Sequence, residues 1–151
     1  NTNVKDLWNS YVSMSGSSMT GLNAYVKFNQ RLQKYFPGTA RMEGPPATPD
    51  TPDFPTGFAV TALASSNFCV AWDTPALTTI HVITDYWGMP GLDSTTRPRW
   101  TFGATAASAD GSLQLDTVFP EDTVVKFRIR TIDEKGRVSP WSHIESAACQ
   151  S

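Results

Sequence analysis

Apolar residues recur at helical period over residues 6–36, with one interruption. The first run, DLWNSYVSM, places Leu7, Trp8, Tyr11 and Val12 on one helix face, and SGSS then breaks the pattern. Thr20 is a suitable N-cap for a second helix, GLNAYVKFNQRLQKYF, which the following Pro-Gly pair ends. The stripe of this second helix contains Leu22, Tyr25, Val26, Leu32 and Phe36, with Phe28 and Tyr35 at its edge. Two helices with one apolar stripe each cannot form an independent core, so we expect them to pack on another part of the protein.

A proline-rich segment follows the helices. Residues 37–55, PGTARMEGPPATPDTPDFP, hold six of the eleven prolines. Such a stretch lacks backbone donors and favours extended polyproline geometry, so it predicts a semi-rigid strap. One interpretation is a plain linker, and the other is an arm that reaches a second subunit.

From residue 55 onward the pattern changes to short β segments separated by turn signals. The segments are GFAVTALA, NFCVAW, TTIHVITDYW, RPRWTFGA, GSLQL, VVKFRIRTI and WSHIESAAC. Short strands at this spacing, with no helical period among them, indicate an antiparallel sandwich. The chain therefore divides into a helical segment (1–36), an extended linker or arm (37–54) and a β domain (55–151).

The segment KFRIRTIDEKGRVSPWSH, residues 126–143, alternates basic and apolar residues before a turn. Alternation in a strand places Val125, Phe127 and Ile129 on one face. Lys126, Arg128 and Arg130 then occupy the opposite face. DEKG turns the chain, and RVSPWS is predicted to begin the next strand.

These residues resemble the last hairpin of a fibronectin type III domain. Pro55 followed by GFAV resembles the opening strand of that family, and CVAWDTP resembles its second strand with the core tryptophan, here Trp72. The resemblance covers residues 54–149 and implies a mainly β, fibronectin type III-like sandwich of about seven strands. Val125 stands where the family usually carries a tyrosine, and residues 85–105 are richer in Trp, Pro and Gly than is usual for it.

The resemblance gives the basic side chains of this hairpin a structural role. Arg128 and Arg130 are expected to stack on Trp141 of the next strand, and each such contact stabilises by about 1 kcal/mol. A nucleic-acid surface is the alternative for a basic stripe. Asp133 and Glu134 flank this one, however, and the β domain is net negative, so no nucleic-acid partner is predicted.

The same topology brings the two cysteines toward one end of the sandwich. Cys69 alternates with core-facing Val70 near the start of the second strand, and Cys149 ends the last strand. A Cys69–Cys149 disulfide would close a loop of 80 residues. On the chain-entropy model it would contribute about 4 kcal/mol and would indicate an oxidising location. Two free buried thiols are the alternative.

Charge is distributed unevenly along the chain. Net charge is −2, but residues 1–44 contain five basic and two acidic residues, giving +3 there and −5 in the remainder. A segment of one sign beside a body of the other favours docking, within the chain or onto a neighbour. No apolar run approaches the roughly 18 residues of a membrane span, so membrane insertion is not predicted.

Recognisable catalytic and metal-binding patterns are absent from the sequence. His81 and His143 are not at metal-ligand spacing with each other or with a cysteine, and no phosphate-binding glycine loop occurs. We therefore predict no catalytic residue, no metal, no cofactor and no enzymatic activity.

The first functional hypothesis is a structural subunit that self-assembles, as a homo-oligomer or homopolymer, through its N-terminal helices and arm. Its setting would be extracellular, on a cell surface or in a virion, as a filament, appendage or phage tail component. The segment LWNSYV…TGLNAYVKFNQRL also resembles a Trp-Asn-x-Tyr and Gly-x-x-Ala-Tyr-Val-x-x-Asn motif of uncharacterised bacterial and phage proteins. The expected interface residues are Trp8, Tyr11, Leu22, Tyr25, Phe28, Asn29, Leu32 and Phe36.

The second hypothesis is an extracellular binding module, such as an adhesin that recognises a glycan or another cell-surface ligand. The aromatic, turn-rich stretch DYWGMPGLDSTTRPRW motivates it. Its expected ligand platform comprises Tyr86, Trp87, Arg97, Arg99 and Trp100. The alternative for the two tryptophans is that they cover one end of the sandwich or lie in a subunit contact.

Overall fold

The computed structural model describes residues 3–53, 56–73, 81–88, 99–117 and 119–151, and for 81–88 and Arg99 it describes the backbone only. The described chain forms two helices and seven strands. It divides into two compact units. The helical unit comprises Asn1–Pro52 with Ile132–Val138, and the sandwich comprises Asp53–Thr131 with Ser139–Ser151. The predicted fold class, an antiparallel sandwich preceded by two helices, is confirmed, whereas the predicted three-part division of the chain stays a prediction.

The two helices are α1, Val4–Met14, and α2, Gly21–Tyr35. Their N-caps are side chains that accept hydrogen bonds from the first turn. The Asn3 side chain accepts from the Lys5 amide, and the Thr20 side chain accepts from the Asn23 amide, as predicted for Thr20. The buried residues are Trp8, Tyr11 and Val12 of α1, and Gly21, Ala24, Phe28, Asn29 and Leu32 of α2.

Part of the predicted apolar stripe of α2 is buried, since Leu32 and the edge residue Phe28 lie in the interior, but its positions Leu22 and Val26 do not. Leu22 and Val26 are 65% and 41% exposed, whereas Gly21, Ala24 and Asn29 are buried. The reason is steric, because the start of α2 lies directly against α1. A Cβ on Gly21 would lie only 2.7 Å from the Asn9 amide nitrogen and 2.9 Å from the Trp8 carbonyl carbon. In its first turn the buried side of α2 is therefore marked by the small residue Gly21 and not by Leu22.

The sandwich strands are β1 Ala59–Leu63, β2 Asn67–Ala71, β3 His81–Gly88, β4 Arg99–Ala107, β5 Ser112–Asp116, β6 Val124–Ile132 and β7 Glu145–Ala148. They form a three-stranded sheet of order β1-β2-β5 and a four-stranded sheet of order β4-β3-β6-β7. Neighbouring strands with a described register pair antiparallel, with a bulge in β3 between Thr84 and Asp85. The core is formed by Phe58, Phe68, Val70, Trp72, Leu115, Phe119, Val125, Phe127, Ile129 and Cys149.

The segment between β6 and β7 is not the regular strand that the sequence predicted, since β7 begins only at Glu145. Pro140 has no amide to donate to a ladder. On either side of Pro140, hydrogen bonds of Ser139 and Ser142 to β6 take the place of a regular strand ladder. The Ser142 amide donates to the Ile129 carbonyl (2.8 Å), and the Ile129 amide donates to Ser142 Oγ (3.0 Å). Ser139 makes the same reciprocal pair with Thr131, at 3.0 and 2.9 Å, and this three-residue spacing is that of a polyproline helix.

We expect Gly21→Ala to destabilise the helical unit by about 1–3 kcal/mol, because its Cβ would collide with the backbone of α1. Gly44→Ala is the matched control, since a Cβ at Gly44 would meet open space. Circular dichroism during thermal unfolding measures the difference between the variants. Equal stability of the two would contradict the close approach of the helices.

Candidate functional site

Four aromatic rings form the interior of the helical unit. The Trp8 ring lies 5.6 to 6.0 Å from the rings of Tyr11, Tyr25 and Phe28, in edge-on or tilted contact. Tyr11 and Phe28 are also edge to face, with their centroids 5.6 Å apart. Ring pairs of this geometry stabilise beyond their buried area. The helices of this protein therefore have a small aromatic core of their own.

Two side chains of the helices hold the proline-rich strap by its backbone. The Asn29 amide group donates to the Met42 carbonyl (3.1 Å), and Asn29 Oδ1 accepts from the Met42 amide (2.7 Å). Trp8 Nε1 donates to the Glu43 carbonyl (2.8 Å). A buried amide side chain needs hydrogen-bond partners, and the strap supplies them for Asn29. This part of the strap is thus bound within the helical unit.

The turn after β6 completes the helical unit. The Asp133 carboxylate accepts from Arg137 Nε (2.7 Å) and from the Arg137 amide (3.0 Å), which closes the turn. Arg31 donates to the Gly136 carbonyl (3.3 Å), and a Cβ on Gly136 would lie 3.2 Å from the Phe28 carbonyl oxygen. Arg137 also donates to the carbonyl of Thr48 (3.1 Å) in the strap. The expectation that the two helices form no core of their own was wrong, because their aromatic residues make one. The turn packs on α2 in addition, within the helical unit.

Other residues of the Trp-Asn-x-Tyr and Thr-Gly-x-x-Ala stretches also have structural roles. Asn9 Oδ1 accepts from the Gly21 amide (3.0 Å), so it caps α2 from the side of α1. Ala24 is buried in the same cluster as Trp8. These contacts explain the spacing of the motif residues in the two helices. The resemblance of this segment to bacterial and phage-encoded proteins stays a prediction.

The residues predicted as an assembly interface are mostly interior. Trp8, Tyr11, Phe28, Asn29 and Leu32 are buried, and Tyr25 and Phe36 are half-buried. Only Leu22 of that set is exposed. The interior residues cannot also form a free surface, so any contact made by this unit must use other side chains.

An exposed apolar surface remains on the helical unit, and we call it the helix groove. The groove has a volume of about 350 Å³ and is lined by Val4, Lys5, Trp8, Gly21, Leu22 and Tyr25. Leu7, Met14 and Val26 add further exposed apolar side chains on the two helices. Exposed apolar surface on a folded unit makes the groove a candidate interaction site. The sequence predicted Leu22 as an interface residue, and its exposure is compatible with that prediction. The buried small residues Gly21 and Ala24 were not predicted.

On the sandwich, the basic side chains of β6 form a stacked ladder with two tryptophans. The Arg128 guanidinium carbon lies 3.9 Å from the Trp141 ring centroid and 4.2 Å from that of Trp100. Arg130 lies 4.2 Å from Trp141 on the other side. The order is therefore Trp100, Arg128, Trp141, Arg130. Stacking of both arginines on Trp141 agrees with the prediction from the sequence, whereas Trp100 was predicted to belong to the ligand platform.

The rest of the predicted ligand platform lies outside the described side chains. This holds for Tyr86, Trp87, Arg97 and Arg99. The backbone register makes Trp87 the cross-strand partner of Trp100. Because Arg128 already covers the Trp100 ring, this ring serves the ladder.

The predicted Cys69–Cys149 disulfide is not present, and both cysteines are free. Cys69 lies between buried Phe68 and Val70 on β2, so alternation directs it to the outer face of its sheet. Cys149 packs in the sandwich core instead. The sheet separates the two side chains. Burial raises the pKa of the Cys149 thiol, which therefore behaves as a protonated core residue.

No group of three or more His, Cys, Asp or Glu side chains among the described residues could hold a metal ion. Neither helix of the described chain combines the length and the apolar character needed to cross a membrane.

Solved structures identify the architecture of the sandwich. The third fibronectin type III domain of the human KIAA0343 protein matches with a TM-score of 0.56 and 15% identity, covering 75% of this chain and 95% of that one. A titin segment matches with a TM-score of 0.52 and 22% identity, and the chicken CNTN1 FN1–FN3 domains match with 0.50 and 17%. The sandwich has a fibronectin type III fold.

This fold is what the sequence resemblance predicted. The matched region covers 68% of this chain and about a third of the chicken CNTN1 and titin chains. No protein-family model matches the sequence, and no curated protein matches it. At identities of 15–22% the likeness establishes the fibronectin type III fold and not an activity.

We expect Asn29→Leu to release the strap, because the Met42 amide and carbonyl would both lose their partner. An unsatisfied buried polar group costs about 1–3 kcal/mol. Hydrogen exchange at the Met42 amide should accelerate by about tenfold or more, as follows from that cost. Gln33→Leu is the control, since Gln33 makes a similar bond to the Thr39 carbonyl from an exposed position and should leave Met42 protected.

A second prediction concerns alkaline pH. Burial raises the pKa of the Tyr11 phenol above its ordinary value of 10.0, against the lowering effect of Arg137. The unfolded chain therefore releases this proton first, so stability is retained below pH 10 and is lost as the pH rises to the raised value. The loss is at most about 1.4 kcal/mol per pH unit.

Tyr11→Phe should remove this part of the alkaline loss in urea unfolding measured at intervals from pH 8 to about 11. Tyr35→Phe is the control, because it leaves the Tyr11 phenol in place. A Tyr11→Phe profile parallel to that of the parent would show that the phenol does not drive the effect.

Proposed function

We propose that the protein is a non-enzymatic structural subunit that joins further copies of itself through the helical unit. The observation that carries the proposal is the exposed helix groove, whose walls include Val4 and Leu22. Burial of apolar side chains is the main favourable term in protein association. The fibronectin type III fold of the sandwich is compatible with such a role, since its use elsewhere is set by surfaces and not by a catalytic centre.

The contacts inside the helical unit favour surface docking over exchange of an arm. Met42 and Glu43 of the strap are bound by Asn29 and Trp8, and Thr48 is bound by Arg137. A strap held in this way supports the helices from within the same chain. The groove is then a preformed surface, and little ordering entropy opposes its use.

Charge supports a partner that is a second copy. Residues 1–44 carry +3 and the remainder of the chain carries −5. Each copy therefore offers both a basic and an acidic surface, and unlike charges favour encounter between copies. We place this subunit in an extracellular filament or appendage, on a cell surface or in a virion. The low charged fraction of 17% supports such a setting.

A ligand-binding surface module is the second candidate. Its support is the aromatic composition of residues 85–100. Among its five platform residues, only Trp100 has a described side chain, and the ring of that residue is stacked on Arg128. The groove, in contrast, is lined by residues that the structure describes, among them the exposed Val4 and Leu22, so we favour assembly.

Leu22→Asp should abolish or strongly weaken self-association. Burying a leucine side chain contributes about 2 kcal/mol, and its loss alone corresponds to roughly 30-fold weaker association. Leu22 is 65% exposed, so the substitution should leave the fold intact. Light scattering of the purified chain over a concentration series measures the effect.

Gln30→Asp is the matched control, because Gln30 is exposed on α2 but does not line the groove. It introduces the same charge and should assemble like the parent. A parent chain that stays monomeric, or a Leu22→Asp variant that assembles as well as the parent, would refute the proposal.

A further inference from the structure

One end of the sandwich combines exposed carboxylates with exposed apolar side chains, and we call it the acidic pole. Hydrogen bonds join three segments there. The Thr117 amide donates to the Ser66 carbonyl (3.2 Å), and the Ser66 amide donates to the Gln150 carbonyl (2.9 Å). The Asp122 amide donates to the Cys149 carbonyl (3.0 Å). The turn between β1 and β2, the loop from β5 to β6 and the residues after β7 therefore lie together.

The charge of this pole is negative. Asp116, Glu121 and Asp122 are exposed on it. The described residues of its three segments, 64–67, 116–123 without Val118, and 148–151, include no lysine or arginine. The carboxylates thus face solvent without a basic neighbour from these segments.

An apolar pair lies beside the carboxylates. Val124, the first residue of β6, is 59% exposed, and its cross-strand partner Ala148 is exposed as well. Paired residues of antiparallel strands project from the same face of a sheet. Val124 follows Glu121 and Asp122 closely in the chain, so the pole presents apolar and acidic groups side by side.

The helix groove has the complementary chemistry. Its walls are apolar, through Val4, Leu22 and the ring of Tyr25, and Lys5 is the charged residue among its lining side chains. We propose that the acidic pole of one copy occupies the helix groove of the next, with Val124 on the apolar walls and a pole carboxylate facing Lys5. This inference rests on the proposed function, since it names the surface that the groove receives.

Such a contact joins two different surfaces of the same protein, so it is heterologous. A heterologous contact leaves a free groove on one copy and a free pole on the other, and growth continues until a ring closes or a filament forms. The contact between Lys5 and a carboxylate should weaken with added salt, whereas the apolar part should not.

Mixing two variants tests this arrangement. Leu22→Asp removes the groove and keeps the pole, and Val124→Asp removes the pole and keeps the groove. Each variant alone should be monomeric by light scattering, at concentrations where the parent is associated. A one-to-one mixture should form a complex with the mass of two chains and grow no further. Glu121→Lys is a second pole variant, expected to behave like Val124→Asp and to lose association at least tenfold.

Thr61→Asp, an exposed position on β1, is the control for an added charge on the sandwich and should assemble like the parent. If Val124→Asp and Glu121→Lys both assemble like the parent while Leu22→Asp does not, the groove meets another surface and the inference is overturned, although the proposed function stands. If Leu22→Asp also assembles, or the parent is monomeric, the proposed function itself fails. A mixture that stays monomeric overturns the inference as well.

Discussion

The alternation of apolar and basic side chains between the two faces of strand β6 is the constraint on which the rest of the structure depends. Val125, Phe127 and Ile129 are fully buried in the sandwich core, and Arg128 and Arg130 on the opposite face hold Trp100 and Trp141. A shift of one residue in this strand would reverse both faces at once, placing guanidinium groups in the core. The last residue of the strand, Ile132, begins the turn that belongs to the helical unit. One strand therefore serves both compact units.

The period at which apolar side chains recur explains which elements the sequence could predict. Residues 125–130 alternate strictly between apolar and basic side chains, and β6 has the predicted bounds. The turn residues between the strands made the sandwich recognisable as well. The segment after the turn was not predicted correctly, because Ser139 and Ser142 pair with β6 through their hydroxyl groups as well as through the backbone. Strand patterns describe ladders of backbone bonds, so they do not anticipate a three-residue spacing around Pro140.

The buried positions of α2 that are small or polar could not be predicted from hydrophobicity, for a related reason. Gly21 is buried because α1 lies against it, and Asn29 is buried because the strap satisfies its amide. Both residues are buried for reasons other than apolar character, and apolar character is all that a helical stripe is read from. The same limit applies to the cysteines. Whether two cysteines can pair depends on which face of the sheet each side chain occupies. Knowing that both lie toward the same end of the sandwich does not give that face.

The internal contacts of the helical unit also determine what it can offer to a partner. Trp8, Phe28 and Asn29 bind one another or the strap, and this use leaves little of their surface exposed. Leu22 and Val26 remain exposed because the small residues of α2 take the inner positions. A residue cannot be fully buried in its own unit and also supply free apolar surface to another chain. The groove is thus a consequence of how the helices pack, and its apolar walls are the part of the unit left available for association.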